Sequence, residues 1–205
     1  MARARSPVDS RQRILAAASA EFAARGFAGA GIDRIARRAR VNKAMIYYHF
    51  KSKQALYAEI LGEMYLALGE RLRVVASLPG APAQKIDAFV EALVQGVDAR
   101  PHFLPMMLRE LAEGGPHLGR QTLELMGGIF QIVRAIIAEG TRTGAFGPAN
   151  PVLAYATMIG PVVMYKATAP VRARMKRLRI ANVSENDTAA FIRHLQTVTQ
   201  RMLNP

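Results

Sequence analysis

Residues 32–53 read IDRIARRARVNKAMIYYHFKSK, and this stretch decides the fold. Its first part carries apolar side chains at helical spacing, which predicts a short helix over 32–39. Asn42 is a favourable N-cap for a second helix over 43–50, because its side chain can accept a hydrogen bond from a free N–H of the first turn. Two short helices separated by only a few residues predict a helix-turn-helix.

The rest of the chain also follows the helical period, with no convincing strict alternation and no Asn-Gly or Asp-Gly pair to mark a β-hairpin. Glycine and proline pairs interrupt the apolar pattern and give the expected helix ends. We therefore predict an all-α fold of about nine helices. Pro161 is expected to kink the eighth helix, and Ser184 to cap the ninth. Besides the two short helices at 32–39 and 43–50, the predicted helices cover 10–25, 52–78, 82–99, 103–113, 117–143, 150–168 and 185–203.

The amino-acid composition excludes several classes of protein and indicates the charge of a partner. The 205 residues include no cysteine, which excludes disulfide scaffolds, thiolate metal sites and cysteine nucleophiles. There is no apolar run of about 18 residues and no signal-peptide pattern at the start, so we expect a cytoplasmic protein with no membrane partner. The formal net charge of +13 indicates a polyanionic partner.

The positive charge is concentrated at the N-terminal end. Residues 1–53 contain twelve basic and three acidic side chains, a net +9, whereas the other 152 residues sum to +4. Five positive charges lie in residues 172–179, where we expect a solvated basic loop, with an acidic or nucleic-acid partner as the alternative. Arg3 and Arg5 are expected to be an idle basic terminus rather than a minor-groove arm. The asymmetry predicts a DNA-binding domain over 1–53 and a second domain over 54–205.

The second short helix exposes more aromatic surface than ordinary packing explains. It is expected to bury Ile46 and Phe50 and to leave Tyr47, Tyr48 and His49 in solvent. In a helix-turn-helix the second helix lies in the major groove of DNA, with flanking groups on phosphates. Lysine, tyrosine and histidine donors suit phosphates, an asparagine amide suits bases or backbone, and a small alanine allows contact with a thymine methyl. An aromatic cluster packed under the following helix is the alternative.

Four segments carry a family resemblance: RQRIL at 11–15, FAARGF at 22–27, IDRIA at 32–36 and VNKAMIYYHFKSK at 41–53. Together they resemble the DNA-binding domain of the TetR/AcrR family of bacterial repressors. The resemblance covers about the first quarter of the chain and implies a homodimeric, all-helical repressor. It further implies a dimer interface of four helices formed by the last two helices, and a small-molecule pocket among the middle ones. Effector binding would move the long fourth helix and release DNA.

The resemblance assigns roles to residues of the second short helix and its flanks. Phosphate contacts are implied at Lys43, Tyr47, His49 and Lys53, and base-facing positions at Asn42, Ala44, Met45 and Tyr48.

This chain departs from the family pattern at two places. Ala30-Gly31 stands where the family has threonines that cap the first short helix and contact phosphate. Arg40 stands where the family has a glycine, and a left-handed residue there would cost arginine about 1 kcal/mol. We expect mild local strain at Arg40, which an extra phosphate contact would offset.

The C-terminal domain offers candidates for a pocket and for an interface. Methionine is frequent between residues 64 and 175, and methionine-rich interiors adapt to varied apolar guests, although ordinary core packing is the alternative. The apolar candidates for an effector pocket are Phe89, Phe103, Met107, Met126 and Phe130, with Arg109, Glu110 or Tyr155 as polar anchors. The candidates for the dimer interface are Phe191, Leu195, Val198 and Met202.

No catalytic or metal-binding pattern is evident. The four histidines are scattered, and there is neither a Gly-x-Ser-x-Gly elbow nor a His-Glu-x-x-His motif. Glu110, Glu113 and His117 have ligand spacing, but Gly114-Gly115-Pro116 should end the helix before His117. We therefore expect no enzyme, cofactor or metal.

The prediction is a regulator that binds double-stranded DNA as a homodimer and responds to a small-molecule effector. A sequence-tolerant architectural DNA-binding protein, and a binding protein or enzyme acting through the C-terminal cavity, are the alternatives.

Overall fold

The computed structural model describes residues 7–181 and 187–204, and every regular element within these ranges is a helix. The predicted all-α class is confirmed. The expected cap at Ser184 and the terminal Arg3 and Arg5 lie outside the described residues. The ten described helices are α1 (Pro7–Gly29), α2 (Ile32–Ala39), α3 (Lys43–Phe50), α4 (Lys53–Ala76), α5 (Pro82–Asp98), α6 (Phe103–Ala112), α7 (Arg120–Thr143), α8 (Pro151–Ala167), α9 (Ala169–Arg177) and α10 (Thr188–Leu203).

By packing, the chain divides into two compact units. The first contains the described residues up to Leu66 together with Arg100–Glu124, and the second contains Ala67–Ala99 and the described residues from Leu125 onward. We call them the reading unit and the body unit. The boundary predicted between residues 53 and 54 is a division by function, and it stays a prediction.

The reading unit is built on α1, whose apolar side chains follow the helical period. Ile14, Ala18 and Phe22 are completely buried, and the ring of Phe22 packs edge-on against Tyr57 of α4 at 4.8 Å between centroids. Ile46 and Phe50 of α3 join the same core, as expected from the sequence. Burying each such side chain stabilises the fold by roughly 1.5–3 kcal/mol, and this burial holds the short helices α2 and α3 against α1.

Helix α1 is interrupted at Gly26 and continues to Gly29, beyond its predicted end at residue 25. Gly26 has φ 69° and ψ 177°, a backbone conformation that favours glycine. The interruption frees carbonyl groups of the preceding turn. The Arg109 guanidinium of α6 donates to the carbonyls of Phe22, Ala23 and Ala24, so a distant residue satisfies this helix end.

The turn between α2 and α3 has the predicted left-handed residue. Arg40 has φ 54° and ψ 47°, and its N–H donates to the Arg37 carbonyl. The Val41 N–H donates to the Ala36 carbonyl at 3.0 Å, which completes a Schellman motif at the end of α2. The predicted bounds of both α2 and α3 are confirmed to the residue.

In the body unit α10 packs against α5 and α8. Gln200 donates to the Ala83 carbonyl at 2.8 Å and Gln196 to the Asp87 carbonyl at 3.0 Å, which joins α10 to α5. Lys85 of α5 pairs with Glu139 of α7 at 2.8 Å. These contacts link segments far apart in sequence, so the unit depends on tertiary packing.

Two expectations for the C-terminal half need correction, and a third stays a prediction. Residues 169–177 form helix α9 rather than a loop, although none of its side chains is buried. Helix α8 continues through Pro161, so the kink expected there stays a prediction, and a bend of 42° separates α8 from α9. Helix α10 begins at Thr188, where the Asp187 carboxylate accepts a hydrogen bond from the Ala189 N–H at 2.9 Å.

In the part of the chain that the structure describes, no single helix has the length and apolarity needed to cross a membrane. The bent pair α8–α9 passes the same test on length and composition alone.

Candidate nucleic-acid interface

Helix α3 presents its aromatic side chains to solvent. Tyr48 is 77% exposed and Tyr47 is 43% exposed, whereas Ile46 is completely buried on the opposite face. Asn42, Lys43 and Ala44 at the start of the helix are also exposed, and Met45 and His49 are half-buried. Packing under α4 therefore does not account for the two tyrosines. The exposed face carries hydroxyl, amide and ammonium groups, which are the groups that bind bases and phosphates.

The N-terminus of α3 is fixed by two local interactions. Asn42 Oδ1 accepts a hydrogen bond from the Met45 N–H at 2.8 Å, which is the predicted cap. This bond uses the amide oxygen and leaves the amide NH2 group as the donor directed outward. Lys43 pairs with Asp33 of α2 at 3.1 Å in an exposed position. A surface pair of this kind contributes little stability, so the Lys43 ammonium can exchange Asp33 for a phosphate at small cost.

Lys51 and Ser52 connect α3 to α4. Lys51 has φ 61°, and its N–H donates to the Tyr47 carbonyl at 2.9 Å, which ends α3. Ser52 Oγ accepts a hydrogen bond from the Ala55 N–H at 3.0 Å and caps the first turn of α4. The sharp turn brings the positive end of the α4 dipole next to the end of α3.

His49 and Lys53 are tied more closely to the reading unit than the sequence suggested. His49 Nε2 lies 2.9 Å from Ser10 Oγ of α1, so the imidazole joins α3 to the start of α1. Lys53 Nζ donates to the Ala28 carbonyl at 3.3 Å and lies 4.7 Å from the centre of the Phe27 ring. Both residues position helices in this structure. Their predicted phosphate contacts stay predictions.

At the N-terminus of α2, a carboxylate from another helix takes the place of the family's threonine cap. Gly31 offers no side-chain cap, but its N–H donates to the Glu21 carboxylate of α1. The Arg34 guanidinium also binds Glu21, at 2.5 Å, and this hydrogen bond lowers the pKa of the Glu21 carboxyl, with help from Arg25. A carboxylate at the positive end of a helix is electrostatically favoured. Glu21 lies eleven residues before the start of α2, so no local sequence signal marks it as a cap.

A buried polar cluster lies elsewhere in the reading unit. Glu110 is buried, pairs with His117 Nδ1 at 2.8 Å and accepts a hydrogen bond from the His117 N–H at 3.1 Å. Burial raises the pKa of the Tyr57 hydroxyl well above its usual range, and a hydrogen bond to Glu110 adds to the shift. The imidazole packs on Phe27 at 3.9 Å between ring centres.

The expected helix break after α6 is present, yet the turn brings His117 back onto Glu110. Glu113 does not join them: among the described residues, no three potential metal ligands are grouped.

Comparisons with known proteins agree with this geometry. The sequence profile of the family described as "Bacterial regulatory proteins, tetR family" matches residues 14–60, which contain α2, α3 and most of the exposed face. The HTH-type transcriptional repressor NicS of Pseudomonas putida is 30% identical over 150 residues, covering 70% of this chain and 69% of NicS. The chain belongs to the tetR family.

One further relative is similar in sequence, and one solved structure shares the fold. An HTH-type transcriptional repressor of Streptomyces coelicolor is 38% identical over 112 residues, so the match spans 55% of each chain. The solved structure of the regulator FadR from Bacillus subtilis superposes with a TM-score of 0.76 at 18% identity, covering 94% of this chain and 99% of FadR. The prediction of a helix-turn-helix regulator is confirmed at the level of the family.

The candidate pocket residues of this tetR-family chain fall into both compact units. Phe103, Met107, Arg109 and Glu110 belong to the reading unit, and Phe89, Met126, Phe130 and Tyr155 to the body unit. Phe130 and Tyr155 pack edge to face at 5.8 Å, and burial raises the pKa of the Tyr155 hydroxyl. The polar groups of Arg109 and Glu110 are engaged with α1 and His117 as described above. An effector-binding role for all eight residues stays a prediction.

The candidate interface residues are not equivalent. Leu195 is only 2% exposed, so it belongs to the core of its own body unit. Phe191 stacks on Tyr165 at 4.0 Å, while Val198 and Met202 are each 38% exposed on the outer face of α10. Leu153 and Met164 of α8, the helix that packs against α10, are also exposed, although the sequence did not mark them as interface candidates.

Proposed function

We propose that this protein is a cytoplasmic transcriptional repressor that binds a near-palindromic operator as a homodimer and releases it when a small apolar or amphipathic effector binds. The exposed face of α3 carries this proposal. Tyr47, Tyr48 and the amide of Asn42 face solvent on a helix that Ile46 and Phe50 anchor in the core. A rigid helix with outward groups for bases and phosphates is what a major-groove reader requires.

Two further observations support a ligand-responsive repressor. NicS and the Streptomyces coelicolor relative are named as transcriptional repressors. FadR, which shares this fold, was solved in complex with stearoyl-CoA. By analogy, an effector of this protein would occupy an apolar pocket in the helical C-terminal domain, lined by some of the eight candidate residues.

Release of DNA requires that the effector distinguish two states of the protein. In one state the two reading units of the dimer match the spacing of the half-sites, and in the other they do not. A ligand with equal affinity for both states would leave DNA binding unchanged. The effector must therefore bind the DNA-incompetent state more tightly.

The test begins with selection of duplexes from a randomised pool by the purified full-length protein at physiological salt. We expect a near-palindrome whose half-sites lie about one helical turn or more apart. Tight binding without an enriched sequence would instead indicate an architectural protein. An absence of DNA binding would contradict the proposal and direct attention to ligand turnover by the C-terminal domain.

Variants of α3 then test the assigned face on a selected duplex. Tyr48→Ala should weaken binding by about 1–3 kcal/mol, roughly 5- to 150-fold, and relax preference at one position of each half-site. Lys43→Ala should weaken binding by a similar factor on every sequence. Arg120→Ala is the matched control, since this side chain is 93% exposed in the same unit but lies outside α3. Wild-type affinity in both α3 variants would discredit the assigned face.

A further inference from the structure

Arg13 of α1 and Arg40 of the α2–α3 turn form a ridge between two open grooves of the reading unit. We call this pair the arginine ridge. The first groove, about 510 Å³, also carries Arg38 and His102 at its rim and has small alanine side chains at its floor. The second groove, about 420 Å³, runs from Ser10 to α3. The complete linings are Asp9, Arg13, Ala16, Ala17, Ala20, Arg38, Ala39, Arg40 and His102 for the first groove, and Ser10, Arg13, Arg40, Val41, Asn42, Met45 and Tyr48 for the second.

The Arg13 guanidinium is held in place by the backbone. Its Nη1 donates to the Ala39 carbonyl at 2.9 Å and to the Arg40 carbonyl at 3.4 Å, which are the last carbonyls of α2 and its turn. A cation there complements the negative end of the helix dipole. The charge of Arg13 is therefore fixed at the border of both grooves rather than mobile in solvent.

Arg40 occupies a backbone conformation that favours glycine, yet the fold makes little use of its side chain. Arg38 and Arg40 are exposed, and neither takes part in an ion pair with any residue that the structure describes. Both residues line the first groove together with Arg13, and the acidic residue in this groove is the exposed Asp9, 3.4 Å from Arg13. Among the described residues that line the first groove, three arginines stand against one carboxylate, which leaves an excess of positive charge.

The second groove lies next to the exposed face of α3. Asn42, Met45 and Tyr48 line it, and these are three of the positions at which the family resemblance implies base contacts. A DNA strand that follows α3 in the major groove carries a phosphate every few ångströms along the edge of that groove. The arginine ridge therefore lies where a backbone phosphate would pass.

We infer that Arg40, with Arg13 and Arg38, forms a phosphate-binding site in addition to the contacts of α3. The ligand is a phosphate ester, because a planar guanidinium binds two phosphate oxygens in parallel and the alanine floor leaves room for them. Two sources supply this chemistry: the DNA backbone, which rests on the proposed function, and a free phosphorylated compound, which does not.

The first arm of the test measures the salt dependence of DNA binding with a labelled duplex from the selected pool. Each lost phosphate contact lowers the slope of log K against log salt by about 0.9, so Arg40→Asn should lower it by roughly 2 in a dimer. Asparagine tolerates the left-handed conformation, which keeps the turn intact. Arg40→Lys, which keeps the charge, should retain most of the slope, and Arg120→Asn should leave it unchanged.

The second arm titrates the DNA-free protein with inorganic pyrophosphate by calorimetry. Saturable binding that Arg40→Asn weakens at least tenfold, with an unchanged DNA slope, would assign the site to a free phosphorylated compound. A reduced DNA slope without pyrophosphate binding would assign it to the DNA backbone. Either result supports a phosphate site at the ridge.

Two results would overturn the inference. One is a wild-type slope in Arg40→Asn together with no pyrophosphate binding. The other is an equal loss of slope in Arg40→Asn and Arg120→Asn, which would show an effect of net charge alone. If the wild-type protein selects no duplex, the proposed function fails. The pyrophosphate titration alone then tests whether the arginine ridge binds phosphate.

Discussion

At the scale of single residues, this reading unit is arranged by short polar contacts around its helix ends. Asn42 caps α3 from the adjacent position in sequence, whereas Glu21 caps α2 from another helix. Arg13 and Arg109 satisfy carbonyl groups at the ends of α2 and of the first part of α1. Several charged side chains of the unit thus form hydrogen bonds with backbone groups that helix ends leave unpaired.

Replacement of Arg40 by glycine should stabilise the protein by about 1 kcal/mol, because the left-handed conformation costs an L-residue about 1–2 kcal/mol and glycine recovers most of it. Arg40 has φ 54°, well inside that region. Urea unfolding of Arg40→Gly and wild type at equal pH measures the difference. Arg38→Gly, inside α2, is the contrasting control and should be destabilising. A decrease in the stability of Arg40→Gly would show that the arginine side chain contributes more than its strain costs.

Glu21 gives the protein a pH-dependent contribution to stability. Its pKa in the folded state is lowered, first by the hydrogen bond from Arg34. A lowered carboxyl pKa stabilises the fold above the ordinary value of 4.5, and this contribution is lost as the pH falls through the folded-state pKa. The free energy of unfolding should therefore fall on acidification below about pH 5, and Glu21→Gln should flatten that fall.

The measurement is denaturant unfolding at a series of pH values. Glu21→Gln should also cost about 1–2 kcal/mol at neutral pH, since it removes a charged hydrogen-bond acceptor from Arg34. Glu124→Gln is the matched control, because Glu124 pairs with Arg120 on the exposed surface of α7. Identical pH profiles for Glu21→Gln and wild type would rule out Glu21 as the titrating group.

At the scale of helices, the elements with local signals are those that the sequence predicts well. The bounds of α2 and α3 follow from apolar spacing, the Asn42 cap and the turn. Helix α9 was predicted as a loop because its charges dominate the pattern; it forms although it buries no side chain. The carbonyl groups of α1 that precede Gly26 accept hydrogen bonds from Arg109, which is 83 residues from Gly26 in sequence, so no local signal marks this contact.

The outer faces of α8 and α10 offer the surface for the proposed homodimer. Leu153 and Met164 of α8 are more than 60% exposed, and Val198 and Met202 lie on the neighbouring α10. Introducing charges into this apolar surface should oppose association. We expect Val198→Glu with Met202→Glu to sediment as a monomer that keeps wild-type helicity.

Val74→Glu provides the control for this prediction, because Val74 is an exposed valine on α4 of the same unit. It should leave the oligomeric state unchanged. A dimer in the Val198→Glu/Met202→Glu variant would place the interface elsewhere. Leu195 is unsuitable for this test, since a charge in its buried position would unfold the protomer.

At the scale of the whole molecule, the proposed function joins two reading units through one interface. Binding of the second unit is then effectively intramolecular, so linkage raises affinity without new contacts. The monomeric Val198→Glu/Met202→Glu variant should therefore bind a palindromic duplex at least about 100-fold more weakly than the wild type. On a duplex with one half-site, the two proteins should bind alike, and anisotropy titrations compare them. A similar loss on both duplexes would point to damage in the reading unit itself.

The left-handed residue at Arg40 was implied by the family resemblance alone. The all-helical class, the bounds of the helix-turn-helix and the exposed face of α3 follow from the amino-acid sequence. These features depend on residues within a few positions of each other, where spacing, caps and turn chemistry act directly. Only the tertiary structure decided that Glu21 caps α2, that Arg109 closes α1, that Leu195 lies in the core and that Arg13 and Arg40 form a ridge. In each case the residues are distant in sequence and come together only on folding. Helical periodicity carries no information about which distant side chain will contact an unpaired backbone group.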